Sequence, residues 1–191
     1  MEEKDASGQM ALSGRTYGQM RGNACVQKMR AELARLDDAG VQTVGNAFSS
    51  VLLAKGKPGP AEEAGGELLS GADGKALRAA LLKLGYDPQD WAAIDASVDA
   101  GLFRRAVAAL DPNTLVACDE AAAALVRDAF ADDLCALSDL KDAVLSPGRV
   151  VQVAGMRVLN LGGFEEALSS DRQKQVVWYY LKKIPPLGEP Y

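Results

Sequence analysis

Two hydrophobic rhythms alternate along this chain. Short unbroken apolar runs occur at about Ser50–Ala54, Trp91–Ala96 and Thr114–Cys118. Runs of this length, bounded by Gly, Pro or Asp, predict buried strands. Val150–Val153 and Arg157–Leu161 are further β segments around Ala154-Gly155, predicting a hairpin or a strand with a tight turn. Between these runs the apolar residues take helical spacing. Val26, Met29, Leu33 and Leu36 share one face from Asn23 onward, with Gly40 as the stop. Leu77, Ala80, Leu81 and Leu84 share another, closed by Gly85 and Asp87-Pro88. A short helix over Gly101–Leu110 ends before Asp111-Pro112, and Asp119 is placed to cap a helix burying Ala122, Leu125, Val126 and Ala129. A helical turn region is expected near Asp132–Ala143. Ser170-Asp171-Arg172-Gln173 reads as a capping box that opens a last helix, with Val177, Tyr180, Leu181 and Ile184 inward and Pro185-Pro186 at its end.

Strands alternating with helices imply right-handed crossovers. The predicted fold is an α/β class protein: a three-layer α/β/α sandwich on a central, mostly parallel sheet of about four strands. Residues 1–22 are polar and read as a loose N-terminal arm, and 23–191 as a single domain. The PPLGEPY ending reads as an extended tail.

Composition narrows the chemistry. The chain has 191 residues, a net charge of −5 and no histidine. Without histidine there is no His general base, no Ser-His or Cys-His pair and no His-based zinc site. Acidic net charge disfavours DNA, whose phosphates require a basic patch. Cys25, Cys118 and Cys135 are scattered, which suits reduced thiols buried as small hydrophobes. No metal and no cofactor is expected. The N-terminus lacks a basic start followed by an apolar core, and no apolar run reaches a membrane span, so the expected location is cytoplasmic and no membrane partner is expected.

The Lys55–Gly66 loop carries the local signals. It follows a strand, at the end where such sheets bind ligands. It is not a P-loop, because Gly74-Lys75 is followed by Ala76 and Leu69 stands where the first Gly is needed. Glu62-Glu63 reads as a solvated first-turn pair favoured by the helix dipole. Asp95, at a strand's end, is either a ligand contact or the cap of the next helix, with the cap favoured. Trp178, Tyr179 and Tyr180 read as core and rim packing on the last helix.

The order of these parts resembles the uracil-DNA glycosylases, especially their bacterial and archaeal small-domain families. Pro58-Gly59, Glu62-Glu63, Gly66 and Gly71 follow the family's first loop, DPNTLVACDEAAAALVRDAF its third strand and helix, and RVLNLGGFEEALSSDRQKQVVWYYLKKI its last strand and closing helix. The similarity spans about residues 48 to 184. Where the family has a water-positioning acid this chain has Gly56, and the loop's first glycine falls at Lys55. The base-stacking aromatic falls near Leu68 or Leu69, the base-reading Asn at Asp95, and the His-Pro pair at Gly162-Gly163. Losing the His donor alone costs about 100- to 1,000-fold in such sites.

The resemblance therefore implies a frame kept and a reaction lost. The expected function is a catalytically degenerate, non-enzymatic uracil-DNA glycosylase-like protein. It would bind a small molecule, a nucleotide or a partner at Lys55, Gly56, Lys57, Pro58, Gly59, Leu68, Asp95, Gly162 and Gly163. The alternative is a diverged glycosylase of DNA repair that hydrolyses the N-glycosidic bond of another damaged base, with Glu62 or Asp95 activating water. A third reading is an interaction module with a collapsed pocket.

Overall fold

A computed structural model describes residues 14–188. Four strands run parallel at its centre: β2 (Val51–Lys55), β3 (Ala92–Asp95), β4 (Thr114–Ala117) and β6 (Met156–Asn160). A short antiparallel strand closes each edge, β1 (Thr43–Gly45) beside β3 and β5 (Val150–Val153) beside β6. The order across the six-stranded sheet is β1-β3-β2-β4-β6-β5. The central strands are mostly apolar because both faces are covered, with Lys55, Thr114, Arg157 and Asn160 as buried polar exceptions. On β2, Leu52 and Ala54 join one core, while Val51 and Leu53 join the other.

The first core packs under α1 (Gly14–Asp38), α4 (Ala100–Leu110), α5 (Glu120–Ala129) and α6 (Ala131–Cys135), through Leu36, Phe103, Val107, Val126 and Leu134. The second packs under α3 (Ala72–Leu84), α8 (Phe164–Ala167) and α9 (Asp171–Leu181), through Leu77, Leu81, Phe164, Val177 and Leu181. Single turns α2 (Pro60–Glu63) and α7 (Leu140–Ala143) complete the elements. The β2–β3 crossover thus lies on one face, whereas α4 and α5 lie on the other. Such a reversal opens a crevice beyond the carboxyl ends of the strands on either side of it, here β2 and β4.

Most element boundaries fall within a residue or two of the sequence pattern, and the departures have physical causes. Helix α1 starts at Gly14 rather than Asn23, so 14–22 of the expected loose arm are helical; 1–13 lie outside the described residues, as do 189–191 of the tail. Strand β1 has only three residues, too few to show a period of two. Ser170 does sit at the N-cap of α9, but its side chain accepts no bond, so the capping box does not form. Ala154-Gly155 closes the β5–β6 hairpin with φ of 48° and 86°, the mirror-image turn that suits strand twist. Of the cysteines only Cys118 is buried; Cys25 and Cys135 are exposed, which corrects the reading of all three as core residues. Among the described residues, no helix is long and apolar enough to cross a membrane.

Candidate functional site

The β2 strand ends by delivering Lys55 into the crevice with only 4% of its surface exposed. Its amine bonds both oxygens of Glu62 at 2.9 and 3.0 Å, Asp73 at 2.5 Å, and reaches Glu165 at 3.3 Å. These carboxylates come from α2, from the first turn of α3 and from α8. Burial pulls the Lys55 amine toward neutrality, but its bonds to Asp73 and Glu62 outweigh this and hold its pKa above the ordinary lysine value. Burial likewise pushes Glu62 up, while bonds from Lys55 and from the Leu69 and Gly59 N–H groups hold its carboxyl below the ordinary range. Glu62 is therefore a part-buried hub and not the solvated residue expected; Glu63 is exposed as expected.

Glu62 has no oxygen to spare. Its Oε1 accepts from Lys55 and the Leu69 N–H at 2.8 Å, and its Oε2 from Lys55 and the Gly59 N–H at 2.7 Å. Gly56 is equally committed. A Cβ there would lie 2.8 Å from both Ala121 Cβ and Ala122 N, at the N-terminus of α5. Asp119 holds that approach closed. One oxygen caps α5 at Ala122 N (2.8 Å), and the other accepts the Gly56 and Lys57 N–H groups, each at 3.0 Å.

On one side of this loop lies a cleft of about 290 Å³. Lys55, Gly56, Lys57, Pro58, Leu68 and Asp95 line it, joined by Glu62, Gln42 and Ser97. Gly59 caps α2 beside it and lies against the Glu165 carboxylate. Leu68 is the cleft-facing member of the leucine pair. Leu69 turns into the core at φ 56°, a left-handed conformation held by its N–H bond to Glu62 and its carbonyl bond from Arg78. Asp95 does not cap the next helix. It accepts from the Ser97 N–H at 2.8 Å and the Ser97 hydroxyl at 2.7 Å, and Asp99 caps α4 instead.

Gly162 and Gly163 do not reach this cleft. They line a separate, shallower groove of about 530 Å³ with Pro147, Gln173 and Tyr180. The exposed ion pair between Lys57 and Glu166, at 3.3 Å, stands between the two. The glycine pair also has its own backbone path, with φ of 76° and 141°. A proline at 163 would need φ near about −65°. The Gly162 N–H is fixed by Asn160 Oδ1 at 2.7 Å, and Asn160 is itself buried and bonded to the Leu145 carbonyl.

Gln42 and Ser97 enter the cleft without a sequence signal, because they arrive through the β1–β3 pairing and the turn after β3. Asp73 and the loop-anchoring role of Asp119 escape for a similar reason: each looks like an ordinary first-turn or capping acid. Among the described residues, no cluster of His, Cys, Asp and Glu is arranged to hold a metal ion. No family model matches this sequence, and no curated protein matches it significantly.

Proposed function

We propose that this chain is a non-enzymatic protein on a uracil-DNA glycosylase-like frame, which binds a small ligand in the cleft between the Lys55–Pro58 loop, Leu68 and Asp95. The observation that carries this reading is the commitment of the loop's own acid–base groups, Lys55 and Glu62, beside a glycine with no room for a side chain. The position equivalent to the family's water-activating acid has no room for a side chain. Glu62, the substitute acid, spends four acceptor positions on internal donors and is held ionised. Lys55 is charged and tied to carboxylates, so it neither takes a proton nor stabilises a leaving base. A general base must reach the proton it removes, and none of these groups is free to do so.

The charge pattern supports the same reading. Glu62, Asp73, Asp95, Glu165 and Glu166 outnumber Lys55 and Lys57 around the loop, and Lys57 pairs with Glu166. Phosphate binding needs free cations, which this surface does not offer. The groove holding Gly162 and Gly163 contributes nothing to the cleft. The test is a gel assay of uracil excision from single-stranded DNA. No strand breaks above background are expected after alkaline treatment; excision abolished by Asp95→Asn overturns the proposal and restores the glycosylase alternative.

A further inference from the structure

On the sheet face opposite α4 and α5, helices α3 and α9 run in the same direction, and α8 touches both. Their C-terminal ends meet: the Tyr86 hydroxyl, just past α3, donates to the Ile184 carbonyl, just past α9, at 2.9 Å. Along their length a groove of about 370 Å³ stays open, sharing no lining residue with the loop cleft. Its α3 wall is Ala76, Ala79 and Ala80, side chains too short to close the gap, and Val177 and the half-exposed Trp178 form the α9 wall. Lys83 and Lys174 are the charged residues of the lining, and no acid joins them. In a chain of net charge −5 that is a local reversal. The loop cleft carries Glu62 and Asp95, and the glycine groove carries Glu166. Lys83 lies in the last turn of α3 and Lys174 in the first turn of α9. For helices running the same way, this sets the two lysines about two turns, or about 10 Å, apart along the groove. Lys174 pairs with Asp171 at 3.1 Å, whereas no carboxylate among the described residues pairs with Lys83.

We propose that this groove binds a medium-chain alkyl carboxylate, with its chain between the alanine wall and Trp178 and its head on the Lys83 ammonium. An apolar wall with few polar groups, enclosing 300 Å³ or somewhat more, is the usual make-up of a small-ligand site. The one lysine without a carboxylate calls for a single anionic head, and the length of about 10 Å limits the chain to a medium one. The same length is too short for the roughly 800 Å² per partner that a stable protein interface covers. Burial of the alkyl chain supplies most of the affinity, and the exposed ion pair at Lys83 sets its direction.

Calorimetric titration of the full chain with octanoate, hexanoate, 1-octanol and octylamine tests this, with NMR shifts of the indole and backbone N–H groups reporting where each binds. Octanoate should bind and shift the Trp178 indole and the Lys83 amide, leaving the Trp91 indole and the Lys55–Pro58 loop unmoved. Hexanoate should bind about 10-fold more weakly, because two methylenes fewer leave water. Octanoate should bind about 3- to 5-fold more tightly than 1-octanol, and octylamine more weakly than either. Lys83→Gln, at an exposed position, should bring octanoate down to the level of 1-octanol, while Lys174→Gln should change it by less than about twofold. Ala80→Leu fills the groove and should abolish binding, with an unchanged melting curve showing that the fold is kept. Equal binding of octanoate, 1-octanol and octylamine overturns the assignment of the head to Lys83. Octanoate that leaves the Trp178 indole unmoved, or that still binds Ala80→Leu, overturns the groove as its site. Sedimentation as a dimer that Ala80→Leu breaks gives the groove to a second copy of the chain and overturns the proposal as well.

Discussion

Gly56 has a backbone conformation open to any residue; its constraint is the N-terminus of α5 behind it. Adding a side chain must push that helix away or break the Asp119 bonds. Gly56→Asp should therefore destabilise the fold by about 1–3 kcal/mol, measured by urea denaturation. Lys55 poses the opposite problem, a buried charge that three carboxylates depend on. Lys55→Met should cost about 3–5 kcal/mol, because it strands Glu62 and Asp73 without their cation. The ion cluster also sets an acid limit. The Glu62 carboxyl titrates below its ordinary 4.5 in the folded chain, so its contribution is whole above that value and is lost as pH falls through the lowered one. Lys55 titrates above its ordinary value, so its contribution is whole at neutral pH and goes only in strong alkali. The urea midpoint should fall as pH drops below about 4.5, and fall less steeply in Glu62→Gln. In sequence, Glu62 is indistinguishable from Glu63, since both are first-turn acids after a Pro-Gly turn. What separates them is Lys55 and the Leu69 N–H, partners seven residues away on each side, brought together only by the loop's closure.

At the scale of elements, the sequence pattern places the central strands and long helices well, because continuous apolar runs and helical apolar faces are local consequences of being covered on two sides or one. It misses β1, whose existence depends on β3 offering an edge, and the capping of α4, which falls to Asp99 directly before Ala100 and not to Asp95 five residues upstream of the helix. Asp119 was legible as a cap, but its second oxygen joins α5 to the β2–α2 loop. Asp119→Ala should thus cost about 2 kcal/mol, more than a typical cap of about 1 kcal/mol. Hydrogen exchange at the Gly56 and Lys57 amides should accelerate in the same variant. The β5–β6 turn offers a gain instead. Ala154 is exposed and held at φ 48°, which costs an L residue with a plain methyl group. Ala154→Asn, giving the Asn-Gly pair that such turns favour, should raise the melting temperature by about 2 °C.

Across the whole molecule, the sheet order places the crevice and α8 divides it. The resemblance to a glycosylase frame anticipated one pocket running from the loop to Gly162-Gly163. The Glu165 and Glu166 carboxylates meet Lys55 and Lys57 in the middle of that line. Nothing in the spacing of residues foretells this, because it depends on the left-handed path through Gly162 and Gly163 that aims α8. Adding the glycosylase letters is therefore not building a glycosylase site: Gly56→Asp combined with Gly162→His should release no uracil from single-stranded DNA. Cys118 sits at the end of β4, beneath the contact between Asp119 and the loop, and shares a small internal space with Lys55 and Asp73. Burial, and then the neighbouring Asp119 charge, push its thiol up, so it is inert while covered. Cys25 and Cys135, being exposed, should be alkylated within the first moments of a labelling experiment. The slow third adduct then becomes a clock for the lifting of the loop, ticking on a native residue and slowing whenever an occupant holds the cleft shut.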